Sequence, residues 1–248
     1  MKFAYKSIKG KRSENQDKIA LFEKDNVIFA IVCDGIGGHH GGSLASSTTI
    51  NNFGSDFIEK FDAKTTDIET FFKLSFYNNI DKFGELASKD SKLIKMGTTL
   101  TSVFIDKNTN QITCFNVGDS RTYVLNTKNK LVQISEDNNL YNEIDPNKRH
   151  LYSPNELKEL TNYIGLNSKK MYDVYKIDSQ SFQNIKVILL CSDGVYGFLS
   201  DETLKNLISE EISLNLKVDK IINSALINGS NDNISLIAID VRGENEHI

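Results

Sequence analysis

Five aspartates sit where apolar runs stop or start. Val27-Ile28-Phe29-Ala30-Ile31-Val32-Cys33 ends at Asp34-Gly35, Phe115-Asn116-Val117 at Gly118-Asp119, and Leu189-Leu190-Cys191 at Ser192-Asp193-Gly194. Asp17, in Glu14-Asn15-Gln16-Asp17, and Asp232, in Gly229-Ser230-Asn231-Asp232-Asn233, each precede a further strand-like run. A single aspartate of this kind reads as a turn, because Asp hydrogen-bonds its own backbone and a neighbouring Gly accepts positive φ. Five together point elsewhere. Strand ends along one edge of a sheet come close in space, and carboxylates gathered there repel one another unless a cation joins them. Oxygen ligands without His or Cys spacing select Mg²⁺ or Mn²⁺ over zinc. Two such ions, about 3.5–4 Å apart, suit hydrolysis of a phosphate ester.

Two neighbours fit that chemistry. Gly35 has no Cβ, so the chain can turn sharply there and face its carbonyl towards an ion. Arg12 lies just upstream of Asp17, and its planar, permanently charged guanidinium can hold two phosphate oxygens. Taken alone Arg12 is a surface residue; beside a metal cluster it becomes a phosphate clamp.

The elements that must position these groups alternate in blocks. Strands are expected at Lys18–Phe22, Val27–Cys33, Thr99–Ile105, Ile112–Val117, Thr122–Leu125, Val187–Cys191 and Ile234–Val241, from their Val, Ile, Phe and Thr content and flanking turn residues. Two helices are expected between residues 43 and 88. Ile68, Phe71, Phe72, Phe76, Ile80 and Phe83 mark a helical stripe that reads as core. Further helix is expected from Ser200 to about Asn228, with Gly229 as its stop. The polar stretch 138–178 reads as an excursion, with a capping box at Ser153-Pro154-Asn155-Glu156 starting a helix to about Ile164. Strands in runs with grouped helices argue for an α+β fold. The chain is read as one domain over 1–248.

Composition narrows the function classes. The 248 residues are 39% hydrophobic and 25% charged with a net charge of −4, which suits a soluble globular protein. Without a basic block, nucleic acid is a poor partner. The apolar runs are too short for a bilayer and the N-terminus lacks a signal-peptide core, so no membrane partner and a cytoplasmic location are expected. Cys33, Cys114 and Cys191 lie in apolar runs without C-x-x-C spacing, and read as small buried hydrophobes. Gly35-Ile36-Gly37-Gly38-His39-His40 departs from a dinucleotide fingerprint at its last glycine.

In order along the chain, Arg12–Asp17, Cys33–His39, Met96-Gly97-Thr98-Thr99-Leu100, Asn116–Arg121, Leu190–Val195 and Ser230–Ile234 resemble the metal-dependent Ser/Thr protein phosphatases of the type 2C class, in particular their bacterial branch. The resemblance implies an α-β-β-α sandwich with two central antiparallel sheets and a flap over about 138–178. It implies two Mn²⁺ or Mg²⁺ ions organised by Asp17, Asp34, Asp193, Asp232 and the Gly35 carbonyl, with a third-metal position at Asp119 and Asp193. Arg12 matches the phosphate-binding arginine, and His39 a bacterial histidine that is a candidate general acid. Implied partners are phosphorylated proteins, substrates of Ser/Thr kinases, acted on by a monomer. Gln16 replaces a frequent Glu, Ile36 a eukaryotic His, Ser43 a common Glu and Asn138 a common His. Gln16 and the short flap keep open a catalytically silent, phosphoprotein- or metal-binding module; retention of the aspartates and Arg12 favours hydrolysis.

Overall fold

The computed structural model describes residues 1–37, 39–168 and 170–243, with His39 and His40 described by backbone only. β1 (Lys2–Ile8), β2 (Lys18–Lys24), β3 (Val27–Cys33) and the two-residue β4 (Gly35–Ile36) lead into α1 (His39–Lys60) and α2 (Ile68–Lys89). Then come β5 (Gly97–Thr98), β6 (Leu100–Asp106), β7 (Gln111–Val117), β8 (Arg121–Asn126) and β9 (Leu131–Gln133). A largely irregular stretch carries α3 (Leu140–Glu143) and β10 (Ile164–Gly165) and returns through β11 (Asp173–Ile177). The order finishes with α4 (Ser179–Phe182), β12 (Ile185–Cys191), α5 (Asp193–Tyr196), α6 (Asp201–Ser209), α7 (Leu214–Ile227) and β13 (Ile234–Asp240).

Two five-stranded antiparallel sheets form the centre, ordered β1-β13-β12-β8-β9 and β11-β7-β6-β3-β2. Their strands explain why the runs are apolar without alternation. In β3, Val27, Phe29, Ile31 and Cys33 face α1 and α2, while Ile28, Ala30 and Val32 face the other sheet. In β13, Leu236 and Ala238 join the core under α7, while Ile237 and Ile239 join the core between the sheets. Successive side chains point to opposite faces, and in a four-layer sandwich both faces are dry. The expected α+β sandwich is therefore what forms.

The helices obey their local signals. Asp67 caps α2, its carboxylate accepting from Thr70 N–H at 2.8 Å. The Phe stripe is core: Phe72 stacks on Phe115 of β7 with ring centroids 3.8 Å apart, and Phe29 on Phe104 at 4.3 Å. Gly229, at φ +91°, follows the end of α7 in a conformation that favours glycine.

Two expectations are corrected, and two edge strands are added. The capping box forms, with Ser153 N–H donating to Glu156 Oε2 at 2.7 Å and Glu156 N–H to Ser153 Oγ at 3.3 Å. It starts only a 3₁₀ turn, Glu156–Lys158. Ile164 is drawn away into β10, pairing with Thr98 of β5, and tertiary pairing overrides the local helix signal. The excursion also ends before Asp178, since β11 is an edge strand on β7 and Tyr172 packs edge-on against Phe72 and Phe115. Finally, β1 and β9 were not anticipated; both lie at the edges of their sheet.

Candidate active site

Five loops at one end of the sandwich carry the aspartates, each held by a different local device. Where β3 stops, Asp34 N–H donates to Thr99 Oγ1 at 3.0 Å, and the Asp34 carbonyl accepts from Thr99 N–H and from the Thr98 hydroxyl, both at 2.8 Å. The chain then runs through Gly35, where a Cβ would stand 2.2 Å from the Gly42 carbonyl oxygen and 2.9 Å from that of Gln16. Glycine is required there by close approach of backbone to backbone. Gly118 is required for a different reason: at φ +93° it makes the turn that presents Asp119. Beneath this turn the Thr99 and Ser120 hydroxyls lie 2.7 Å apart, and those of Thr101 and Thr122 2.8 Å apart, stitching one sheet to the other.

On the second sheet, β12 ends at Cys191 and Asp193 opens α5. Ser192 fixes the neighbouring strand, its N–H donating to the Ser235 carbonyl at 3.0 Å and its hydroxyl accepting from Ser235 N–H at 3.1 Å. Asn233 is a three-way clip on the N-terminal loop. Its amide donates to the carbonyls of Lys9 at 2.8 Å and Glu14 at 2.9 Å, and its oxygen accepts from Gln16 N–H at 2.8 Å.

A cavity of about 510 Å³ results, lined by Arg12, Asp34, Gly35, Asp119, Asp193 and Asp232 among others. Asp17 is buried and does not line this cavity, but its charge is felt by Asp34 and Asp193. Ser192 Oγ donates to Asp17 Oδ2 at 2.7 Å, while Asp17 Oδ1 and Asp193 Oδ1 are buried without any hydrogen-bond partner. An unpaired buried carboxylate oxygen is costly unless something else meets it. Burial and crowding have the expected effect on acidity. Burial, then the charges of Asp17 and Asp193, push the Asp34 carboxyl well up. Burial, then Asp119, raises Asp193 to about 7. Burial, then Asp137, raises Asp119 to about 6, and burial raises Asp17. These are the shifts of carboxyls taken out of water beside like charges.

The residues present fit hard divalent cations: the donors gathered here are oxygens, two of them buried and unpaired, on carboxyls that burial and then neighbouring charge make less acidic. Among the described residues no three His, Cys, Asp or Glu side chains close into a ready cage about one point, so backbone and water oxygens would have to complete the coordination. One cation is already there. Arg12 Nη2 donates to Asp232 Oδ2 at 2.7 Å, pairing the expected phosphate clamp with an expected metal ligand. The His39 side chain lies outside the described residues.

The structure thus brings Arg12, Asp34, Gly35, Asp119, Asp193 and Asp232 to one cavity and seats Asp17 within electrostatic reach of it. Sequence reasoning missed Ser192, Asn233 and Thr99 as positioning groups. It also gave no role to Lys158 and Leu160, which line the cavity from the excursion. Ser192 and Asn233 flank the predicted aspartates, and that adjacency was the available signal.

Comparison with known proteins identifies the family and the fold. Residues 6–226 match the family protein phosphatase 2C. The chain is 30% identical over 235 residues to the serine/threonine phosphatase stp of Listeria welshimeri, across 92% of this chain and 91% of that protein. Its fold matches the structure of the S. agalactiae serine/threonine phosphatase with a TM-score of 0.83 at 26% identity, over 96% of this chain and 98% of that one. The backbone also follows the catalytic domain of the serine/threonine protein phosphatase PstP, solved in complex with two manganese ions. There the TM-score is 0.79 and the identity 22%, over 96% of this chain and 97% of that one.

Proposed function

The chain belongs to the protein phosphatase 2C family as a serine/threonine phosphatase of bacterial type, and on that premise we propose that it hydrolyses phosphoserine and phosphothreonine in proteins with divalent cations held by Asp17, Asp34, Asp119, Asp193, Asp232 and the Gly35 carbonyl. The observation that carries the reading is a pair of unpartnered buried oxygens, Asp193 Oδ1 on a residue that lines the cavity presenting Arg12 and Asp17 Oδ1 on a residue buried within electrostatic reach of it. Bound there, two Mn²⁺ or Mg²⁺ ions would supply a water acidic enough to be the nucleophile at neutral pH and positive charge for the phosphoryl oxygens.

The chain's own residues do the rest. Arg12 leaves Asp232 and places its fork on two phosphoryl oxygens, where charge builds as the phosphoryl group transfers in line. Asp34 and Asp193 give up the protons that burial and neighbouring charge make them hold, and so become anionic ligands. Ser192 keeps Asp17 oriented through the 2.7 Å hydrogen bond. Water attacks phosphorus directly and no side chain becomes phosphorylated. A water or His39 protonates the departing alkoxide.

The test is turnover of p-nitrophenyl phosphate and a phosphothreonine peptide by the purified protein. Mn²⁺-dependent release of phosphate, abolished by chelator and by Asp193→Ala, is expected. Absence of turnover in Mn²⁺ with Mn²⁺ still bound would instead favour a silent binding module, in which the Arg12–Asp232 pair persists.

A further inference from the structure

Beside the aspartate cavity lies a second hollow of about 720 Å³, whose walls include Ile134, Tyr141, Pro154, Leu157 and Tyr175. Lys158 lines both, so the two share one wall. The ionic groups in this groove satisfy each other. Arg121 Nε donates to Asp137 Oδ1 at 2.9 Å, its Nη2 donates to Asp137 Oδ2 at 2.7 Å, and its guanidinium covers the Tyr196 ring at 3.6 Å. The rest of the lining mixes those apolar faces with the uncharged Gln133, Asn139 and Asn142, and Glu136 and Lys158 also line it.

We propose that this groove docks the substrate's polypeptide and takes a large apolar side chain near the phosphorylated residue. The inference rests on the phosphatase reading and names its substrate class more closely. Three observations carry it. The first is continuity: a phosphoresidue seated beside Arg12 belongs to a chain that must leave the cavity, and the wall at Lys158 opens directly onto this partly apolar surface. The second is exposure. Tyr141, in the groove wall, is 47% exposed, and apolar surface left open beside other apolar wall residues marks an interaction site. The third is that the wall is built before any partner arrives. The Ser153–Glu156 capping box holds the turn bearing Leu157 and Lys158, Asn139 bridges to Leu160, and Arg149 holds Tyr141 through its carbonyl at 2.8 Å and its ring at 3.6 Å. A pre-ordered wall loses little entropy on binding. Lys158, without an ion-pair partner among the described residues, stands at the shared wall to meet the phosphoresidue's negative charge.

Two phosphothreonine peptides differing only in leucine or alanine at the flanking positions test this. The wild-type kcat/KM should be about tenfold higher for the leucine peptide, and Leu157→Asp and Tyr141→Ala should each erase that preference when rates are divided by those for p-nitrophenyl phosphate. Tyr141 is exposed, so its variant guards against misfolding in the other. Fluorescence anisotropy with the same peptides in chelator, where hydrolysis is stopped, reads the groove independently of catalysis. Failure of the phosphatase reading would show as no Mn²⁺-dependent turnover of either substrate, and the anisotropy preference would still decide the groove. Equal binding of the two peptides, or a preference that survives both variants, overturns the proposal. So does a concentration-dependent dimer in sedimentation that Leu157→Asp disperses, which would assign the groove to a second copy.

Discussion

Ser192 Oγ donates to Asp17 Oδ2 at 2.7 Å across 175 residues of sequence, leaving Asp17 Oδ1 as the carboxylate's one free oxygen. One side chain thus orients a carboxylate from one sheet while its backbone belongs to the other. Ser192→Ala should keep the fold and weaken Mn²⁺ binding by about 10–100-fold, the usual effect of removing a ligand's hydrogen-bond partner. Isothermal calorimetry with Mn²⁺ reads this directly; unchanged affinity would mean that Asp17 is oriented by something else.

Arg12 and Asp232 compete for the same moment of the cycle. Their 2.7 Å pair is more than half exposed on the arginine side, so Arg12→Ala should change stability by at most about 1 kcal/mol. Turnover of p-nitrophenyl phosphate should fall by about 100-fold while Mn²⁺ affinity holds or rises, because Asp232 is freed. Arg12→Lys should recover only part of the rate, since an ammonium lacks the fork. A variant that loses metal affinity and rate together would contradict this division of roles.

The raised carboxyls set the pH dependence of the metal-free protein. Asp193 at about 7 and Asp119 at about 6 lie above their unfolded values. Their contribution to stability is therefore intact below about pH 4 and is lost as pH rises through about 6 and then 7. Melting temperature in chelator should fall between pH 5 and pH 8, and saturating Mn²⁺ should remove that fall. Mn²⁺ affinity should rise over the same interval, with proton release. A flat profile in chelator would show that burial and neighbouring charge do not raise these carboxyls.

Neutralising one of them should stabilise the protein that lacks metal. Asp193→Asn removes the charge and keeps the shape, so the chelated variant at pH 8 should be more stable than wild type by on the order of 2 kcal/mol. The same variant should have no measurable turnover. Urea unfolding in chelator checks the first point and a phosphate-release assay the second.

Asn233 makes three hydrogen bonds to the loop that carries Arg12. Asn233→Ala leaves two part-buried carbonyls and an N–H without their partner, and should cost about 1–3 kcal/mol. At a temperature where the variant is folded, KM for p-nitrophenyl phosphate should rise as Arg12 loses its anchor.

The sequence by itself determined the strands buried on both faces and the groups at their ends. Val27–Cys33 was legible to the residue because a strand between two dry layers is apolar throughout, and the aspartates that interrupt such runs stand out against them. The Phe stripe of α2 was legible for a similar reason: helical spacing of one bulky residue type survives any context. Only the tertiary structure decided the rest. β1 and β9 are half-exposed edge strands with little pattern of their own, set by partners far along the chain or across a turn. The helix expected to reach Ile164 yields to pairing with Thr98, and Arg12 finds Asp232 from 220 residues away. Local patterns record what each residue must hide from water; they do not record which distant strand, carbonyl or carboxylate will be brought to meet it. That follows from the register and stacking of the two sheets, which the whole chain settles at once.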